Sequence, residues 1–147
     1  MIYEFNTKQI LISTDKRKLN ISFIHHFLSH SYWSPGIPIA TVISSIKHSL
    51  CFGVYHNNQQ IGFARVITDF TSFGYLADVF IDDEFRGKGY SKLLMKAILK
   101  HPELQNFRRW MLATRDAHGL YKQFGFTSIP NPENFMQIHK PDVYHKR

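Results

Sequence analysis

At 147 residues with 44% hydrophobic and 20% charged side chains, the chain is long enough to close one core and too short to give two ordinary domains a core each. No stretch approaches the roughly 18 consecutive apolar residues of a membrane span. No basic segment leads into an apolar run at Met1–Asn6, so a cytoplasmic protein is the expectation. The net charge of +7 suits an anionic partner, either a polyphosphorylated cofactor or a nucleic acid, without choosing between them.

In chain order, Gln9–Ser13 is a short apolar run suited to a strand, and Ile21, Ile24, Phe27 and Leu28 follow at helical spacing,. The prolines and glycine of Tyr32–Pro38 predict a loop, after which Ile39, Val42, Ile43 and Ile46 trace a second amphipathic helix,. Leu50–His56 and Ile61–Thr68 read as strands joined through the polar spacer Asn57–Gln60, as in a hairpin, and Tyr75–Ile81 reads as a third,. The period then changes. Tyr90, Leu93, Leu94, Ala97 and Ile98 share one helix face, with Lys92, Lys96 and Lys100 on another,. Trp110–Thr114 is the next expected strand, His118–Phe124 a short helix closed by Gly125, and Phe135–His139 a last strand,. These elements predict a single α/β (α+β) domain over residues 1–147, with helices flanking one mixed, mostly antiparallel sheet. Cys51 lies inside an apolar strand, which favours a buried structural thiol over a nucleophile,.

The sharpest local signal is the glycine-rich segment Arg86-Gly87-Lys88-Gly89-Tyr90-Ser91, between a strand and an amphipathic helix. Such a turn aims free backbone N–H groups outward at the positive end of a helix dipole, a natural pyrophosphate site. A Walker loop would need Lys-Ser/Thr after its second glycine, where Tyr90-Ser91 stands,. A dinucleotide fingerprint beginning at Gly87 would need glycine or alanine at Lys92, and more βα units than the roughly 55 residues downstream supply,.

The hexapeptide resembles the GNAT acetyltransferase signature Arg/Gln-x-x-Gly-x-Gly/Ala, departing from it at Ser91. Downstream, Thr114–Phe126 resembles the second hallmark of that superfamily, Asn-x-x-Ala-x-x-x-Tyr-x-x-x-Gly-Phe. Ala117, Tyr121, Gly125 and Phe126 match, and Thr114 replaces the asparagine. Leu76–Ile81 is similar to the family strand Leu-Glu-Asp-Leu-Tyr-Val. The resemblance covers Tyr75–Phe126.

It implies a sheet splayed beside the cofactor strand and acetyl-CoA as co-substrate. The pyrophosphate would be held by Arg86, Gly87, Lys88, Gly89, Tyr90 and Ser91, and the pantetheine arm by main-chain groups of Val79, Phe80 and Ile81. An N–H near Phe80 would face the developing oxyanion, and Tyr121 would protonate the departing thiolate. The frequent glutamate base is absent, since Ala77 precedes Asp78. Asp78, Asp69 and His118 are candidate bases, with Asp78 equally a hydrogen-bonded strand residue. Tyr32, Trp33, Asp69, Phe70 and Phe73 are candidate acceptor-binding residues, suited to a cationic or arylalkyl amine. His26 and His30 lack a third ligand, so no metal is expected. The implied reaction is N-acetylation of a small-molecule or peptide amine. An enzyme acting on aminoacyl-tRNA, which would bind RNA in a salt-dependent way, and an acyl-CoA-binding regulatory domain without turnover are the alternatives. No membrane partner is expected, and a homodimer is compatible with the family.

Overall fold

The computed structural model describes residues 1–7 and 9–145. Its sheet has six strands in sequence order: β1 (Glu4–Asn6), β2 (Ile10–Ser13), β3 (Leu50–His56), β4 (Gln59–Thr68), β5 (Phe73–Ile81) and β6 (Arg109–Leu112). Neighbours pair antiparallel except β5 and β6, which run parallel. That parallel pair needs a crossover, supplied by helix α3 (Tyr90–Lys100),. Helices α1 (Ile21–Ser29) and α2 (Ile39–Lys47) lie between β2 and β3, and α4 (His118–Lys122) follows β6.

Both sheet faces are covered, which explains the nearly unbroken apolar runs of β3 and β4,. Ile24 and Leu28 of α1 and Val42 and Ile46 of α2 bury one face against Cys51, Phe63 and Phe80. Leu94, Met95, Ala97 and Ile98 of α3, with Tyr121 of α4, bury the other against Ile12, Phe52, Val54, Val66 and Leu76. The Asn20 side chain caps α1 by accepting the Phe23 N–H at 3.0 Å,. Gln60, 5% exposed, ties that cap to β4 by accepting the Asn20 N–H at 2.7 Å.

The β3–β4 hairpin turns tightly on Asn57 and Asn58, with φ of 49° and 66°. Asparagine tolerates the left-handed conformation that such turns require, and Gln59 and Gln60 join β4 rather than the spacer. Strand β1 is an addition to the sequence reading, being too short and polar to show a period.

The expected strand at Phe135–His139 does not form. Its alternate side chains Met136 and Ile138 are 97% and 93% exposed, so no neighbour rewards extension into a ladder. Pro130, Pro132 and Pro141 around it each lack an N–H,. The arm nonetheless follows the body of the protein: Phe135 lies 5.0 Å beneath the Arg109 guanidinium, and Tyr144 packs against the α1–α2 cluster.

Candidate active site

β5 carries the geometry that organises the site. Its first half is paired on both sides, to β4 and, through Phe73–Leu76, to Arg109–Leu112 of β6. Beyond Leu76 and Leu112 the parallel ladder stops, while Ala77, Phe80 and Ile81 remain paired with β4. The β6-facing main chain of Ala77–Ile81 therefore borders a wedge between two diverging strands. This is the expected splay.

A β-bulge sits at the same place. The β4 register steps from Phe63↔Phe80 to Arg65↔Ala77, so Asp78 and Val79 together oppose one β4 residue, and Asp78 takes φ 55°,. The extra residue reverses the alternation of side chains. Phe80 consequently joins the α1–α2 cluster, where it stacks on Phe27 with centroids 3.8 Å apart, and Ile81 joins the α3 cluster. Gly62 permits this register, since a Cβ there would lie 2.9 Å from the Phe80 carbonyl oxygen.

The bulge aims Asp78 at the α1–α2 loop. One carboxylate oxygen accepts the Trp33 indole N–H and the other the Arg65 Nε–H, each at 2.9 Å. The Arg65 and Asp78 side chains are 17% and 11% exposed, and Arg65 also donates to the Ser49 hydroxyl at 3.1 Å. Of the expected roles for Asp78, this geometry matches the hydrogen-bonded strand residue, because each oxygen accepts a hydrogen bond and one of them pairs with Arg65. Arg65 was not singled out from the sequence. Its signal was nevertheless there: it is the lone charge of β4, as Asp78 is of β5.

Tyr32 and Trp33 meet edge to face with centroids 5.1 Å apart. The Tyr32 hydroxyl oxygen accepts the Arg115 N–H at 2.9 Å, and the Arg115 guanidinium lies 4.0 Å from the Tyr32 ring centroid. The loop is thus fastened to β5 through Trp33 and to the β6–α4 connection through Tyr32, bridging the two strands that diverge. Tyr121 lies on α4 at 8% exposure, with Phe126 edge-on at 5.9 Å. Burial pushes its pKa up to about 12, and the neighbouring Tyr32 and Asp116 push the same way. The phenol therefore keeps its proton at neutral pH.

At the other end of β5 the Arg86–Ser91 segment forms an open cradle. Gly87 and Gly89 have φ of 76° and 83°, with nothing within 4 Å of where a Cβ would project. The backbone N–H groups from Gly87 through Lys92 have no acceptor among the described residues, the first helical bond being Leu93 N–H to the Gly89 carbonyl. Arg86 is braced by its Nε–H to the Ile81 carbonyl at 3.2 Å and by Asp83 at 3.0 Å. The Lys88 ammonium stands 5.9 Å from the Phe85 ring centroid. Free donors, a helix N-terminus and two cations make a site for phosphate groups.

Asp69 and Phe73 are not brought to this wedge. Phe73 opens β5, five residues from Asp78, roughly 16 Å along an extended strand,. Asp69 folds back on its own turn, accepting the Ser72 hydroxyl at 2.6 Å and the N–H groups of Thr71, Ser72 and Phe73. Those bonds, the Ser72 hydroxyl foremost, hold its carboxyl well below the usual carboxylate range. Phe70, at φ 61°, belongs to the same turn. Cys51 is 1% exposed and burial pushes its thiol up to about 12. His30 Nδ1 lies 2.7 Å from the His26 carbonyl oxygen, and no cluster of three metal-ligating side chains occurs among the described residues. None of their helices is long and apolar enough to cross a membrane. A concavity of about 670 Å³ lies beside β6, between Trp110, Phe124, Ile129 and Phe135, and is lined by neither the cradle nor Asp78 nor Tyr121.

Comparison with known proteins agrees with this geometry. The family model described as acetyltransferase (GNAT) family matches residues 19–126. A Gibberella zeae protein assigned as an acetyltransferase is 31% identical over 76% of this chain and 75% of its own. The crystal structure of a GNAT-family protein from Xanthomonas campestris pv. campestris superposes with a TM-score of 0.92 at 46% identity, covering 96% of this chain and all of that one. A Clostridium acetobutylicum structure solved with acetyl-CoA shares the fold at a TM-score of 0.59 and 15% identity over the full length of both chains. With a family model matched over residues 19–126 and a relative 31% identical over three quarters of each chain, the chain belongs to the GNAT acetyltransferase family.

Proposed function

We propose that the protein moves the acetyl group of acetyl-CoA to a primary amine of a small molecule or peptide by direct attack. The observation that carries this reading is the wedge opened at Ala77–Ile81 between a phosphate-ready cradle and a buried, protonated tyrosine. Support also comes from family membership and from the Clostridium acetobutylicum relative of the same fold, solved with acetyl-CoA.

In this reading, Arg86, Lys88 and the N–H groups from Gly87 through Lys92 hold the pyrophosphate. Unpaired main-chain groups of Val79, Phe80 and Ile81 accept the pantetheine arm as an added strand, and an N–H near Phe80 meets the oxyanion. The amine nitrogen forms its bond to the acetyl carbon as the carbon–sulfur bond breaks. Tyr121 gives its phenolic proton to the leaving sulfur, the amine proton leaves to solvent, and the tyrosinate takes a proton back from solvent. Asp78 acts as a positioning residue: it holds Trp33, and with it the Tyr32–Trp33 roof over the wedge.

The test is release of free thiol from acetyl-CoA across a panel of primary amines, with calorimetry on the same samples. Amine-dependent release is expected. Tyr121→Phe should lower kcat by about 10²- to 10⁴-fold, the ordinary worth of a general acid, while acetyl-CoA affinity stays within about twofold. Acetyl-CoA binding with no release for any amine would instead point to a binding domain without turnover.

A further inference from the structure

Attack on a thioester requires a neutral amine, so the groups able to take a proton decide which amines can react. Around the wedge these groups are already engaged. Each oxygen of Asp78 already accepts one hydrogen bond, from Trp33 and from Arg65. Ala77 beside Asp78 carries no ionisable group. Tyr121 is a phenol, protonated at neutral pH, and burial pushes its pKa further up,. The Tyr32 oxygen accepts the Arg115 N–H, and on α1 His25 Nε2 lies 3.0 Å from the Ile37 carbonyl oxygen. What remains at the mouth is the Arg115 guanidinium on the Tyr32 ring, with exposed Asp116 and His118 beside it. Arg115 has no ion-pair partner among the described residues, whereas Arg65 is spent on Asp78. An ammonium entering here meets the stacked Arg115 cation beside the exposed Asp116 carboxylate, while Asp78 within the wedge already carries two hydrogen bonds. The unpaired guanidinium and the engaged Asp78 favour the neutral amine over the charged one.

Building on the acetyl-transfer reading, we propose that the acceptor is a weakly basic primary amine of the α-amine class, as at a peptide N-terminus or in an amino-acid amide. Strongly basic alkylamines, including polyamines and lysine side chains, are poor acceptors. The site selects by basicity because Asp78, the carboxylate within the wedge, is engaged by Trp33 and Arg65. An α-amine titrates near pH 8 and a lysine-type amine near 10.4, so at pH 7.5 the neutral fractions differ by about 200-fold. The greater nucleophilicity of the more basic nitrogen offsets part of that ratio.

The experiment measures kcat/KM for thiol release from saturating acetyl-CoA with glycinamide, 2-methoxyethylamine and propylamine, which are similar in size and graded in basicity. At pH 7.5 glycinamide should exceed propylamine by at least tenfold. The propylamine rate should climb about tenfold per pH unit toward its own pKa, while the glycinamide rate levels near pH 8. Arg115→Glu, which puts a carboxylate at the mouth, should narrow the preference several-fold. The combined exchange Asp116→Asn with His118→Asn should leave the rising limb in place. Equal rates for the three amines, a preference for propylamine, or a limb that vanishes when Asp116 and His118 are exchanged would overturn the proposal while leaving acetyl transfer intact. Failure of every amine to release thiol, in protein that binds acetyl-CoA, would overturn both.

Discussion

Replacing Asp78 with alanine tests the bulge, the ion pair and the loop it restrains. The change leaves Arg65 without its carboxylate in a setting where only 17% of its side chain is exposed, and leaves the Trp33 N–H without its acceptor. Removing one partner of a buried pair costs about 3 to 5 kcal/mol, and the residual exposure places this pair near the lower end. Alanine at φ 55° adds about 1 kcal/mol of left-handed strain, giving about 4 kcal/mol in all. For 147 residues the unfolding entropy is about 0.3 kcal/mol/K, so Tm should fall by roughly 13 °C. Asp78→Asn keeps an acceptor for Trp33 and tolerates the left-handed backbone, so it should lose about half as much. The assay is thermal unfolding of wild type, Asp78→Ala, Arg65→Ala and the double variant. The double variant should recover at least about 1 kcal/mol relative to the sum of the singles. Additivity within about 0.5 kcal/mol, or an Asp78→Ala shift of only about 2 °C, would refute the account of the bulge.

Two further expectations concern the core. His101 is fully buried at the end of α3; its Nδ1 accepts the Glu103 N–H at 3.1 Å, and its Nε2 has no partner among the described residues. Burial lowers its pKa below the ordinary 6.5, so below pH 6.5 the unfolded chain binds more protons than the folded one. Its contribution to stability is complete above pH 6.5 and is lost as the pH falls through the folded value. Tm measured from pH 7.5 down to pH 5 should therefore drop further for wild type than for His101→Phe, and parallel curves would contradict this. Tyr55 buries a hydroxyl with no partner among the described residues, a state that costs about 1 to 3 kcal/mol. Tyr55→Phe should raise Tm by about 3 °C or more, whereas a fall would show that the hydroxyl is satisfied.

The cradle and the general-acid candidate were legible because their physics is local. Glycines at left-handed positions before a helix leave N–H groups free wherever they occur, and Tyr121 lies on the short helix α4, which runs into the turn at Gly125 and Phe126. The hydrogen-bonded role of Asp78 was among the expectations, but its partners Trp33 and Arg65 were not legible, because they depend on the register between β4 and β5, and a one-residue bulge there reverses which face each later side chain takes,. Asp69 misled for the opposite reason: an acidic residue in a turn can as readily cap its own backbone as meet a ligand. The apolar alternation of Phe135–His139 resembled a strand, but pattern alone cannot supply the neighbour that a strand must pair with. The links from Tyr32 to Arg115 and from Trp33 to Asp78 span 83 and 45 residues, distances at which no periodicity carries information.

Calorimetric titration of acetyl-CoA into the wild-type chain and into Gly89→Ala tests the central claim most directly. Gly89 opens α3 at φ 83° with clear space before it, so alanine strains the cradle by about 1 to 2 kcal/mol and sets a methyl group where phosphate would lie. The account predicts saturable one-to-one binding to wild type and at least tenfold weaker binding to a Gly89→Ala variant that remains folded. Absence of binding to wild type, or equal affinity for the two proteins, would contradict it.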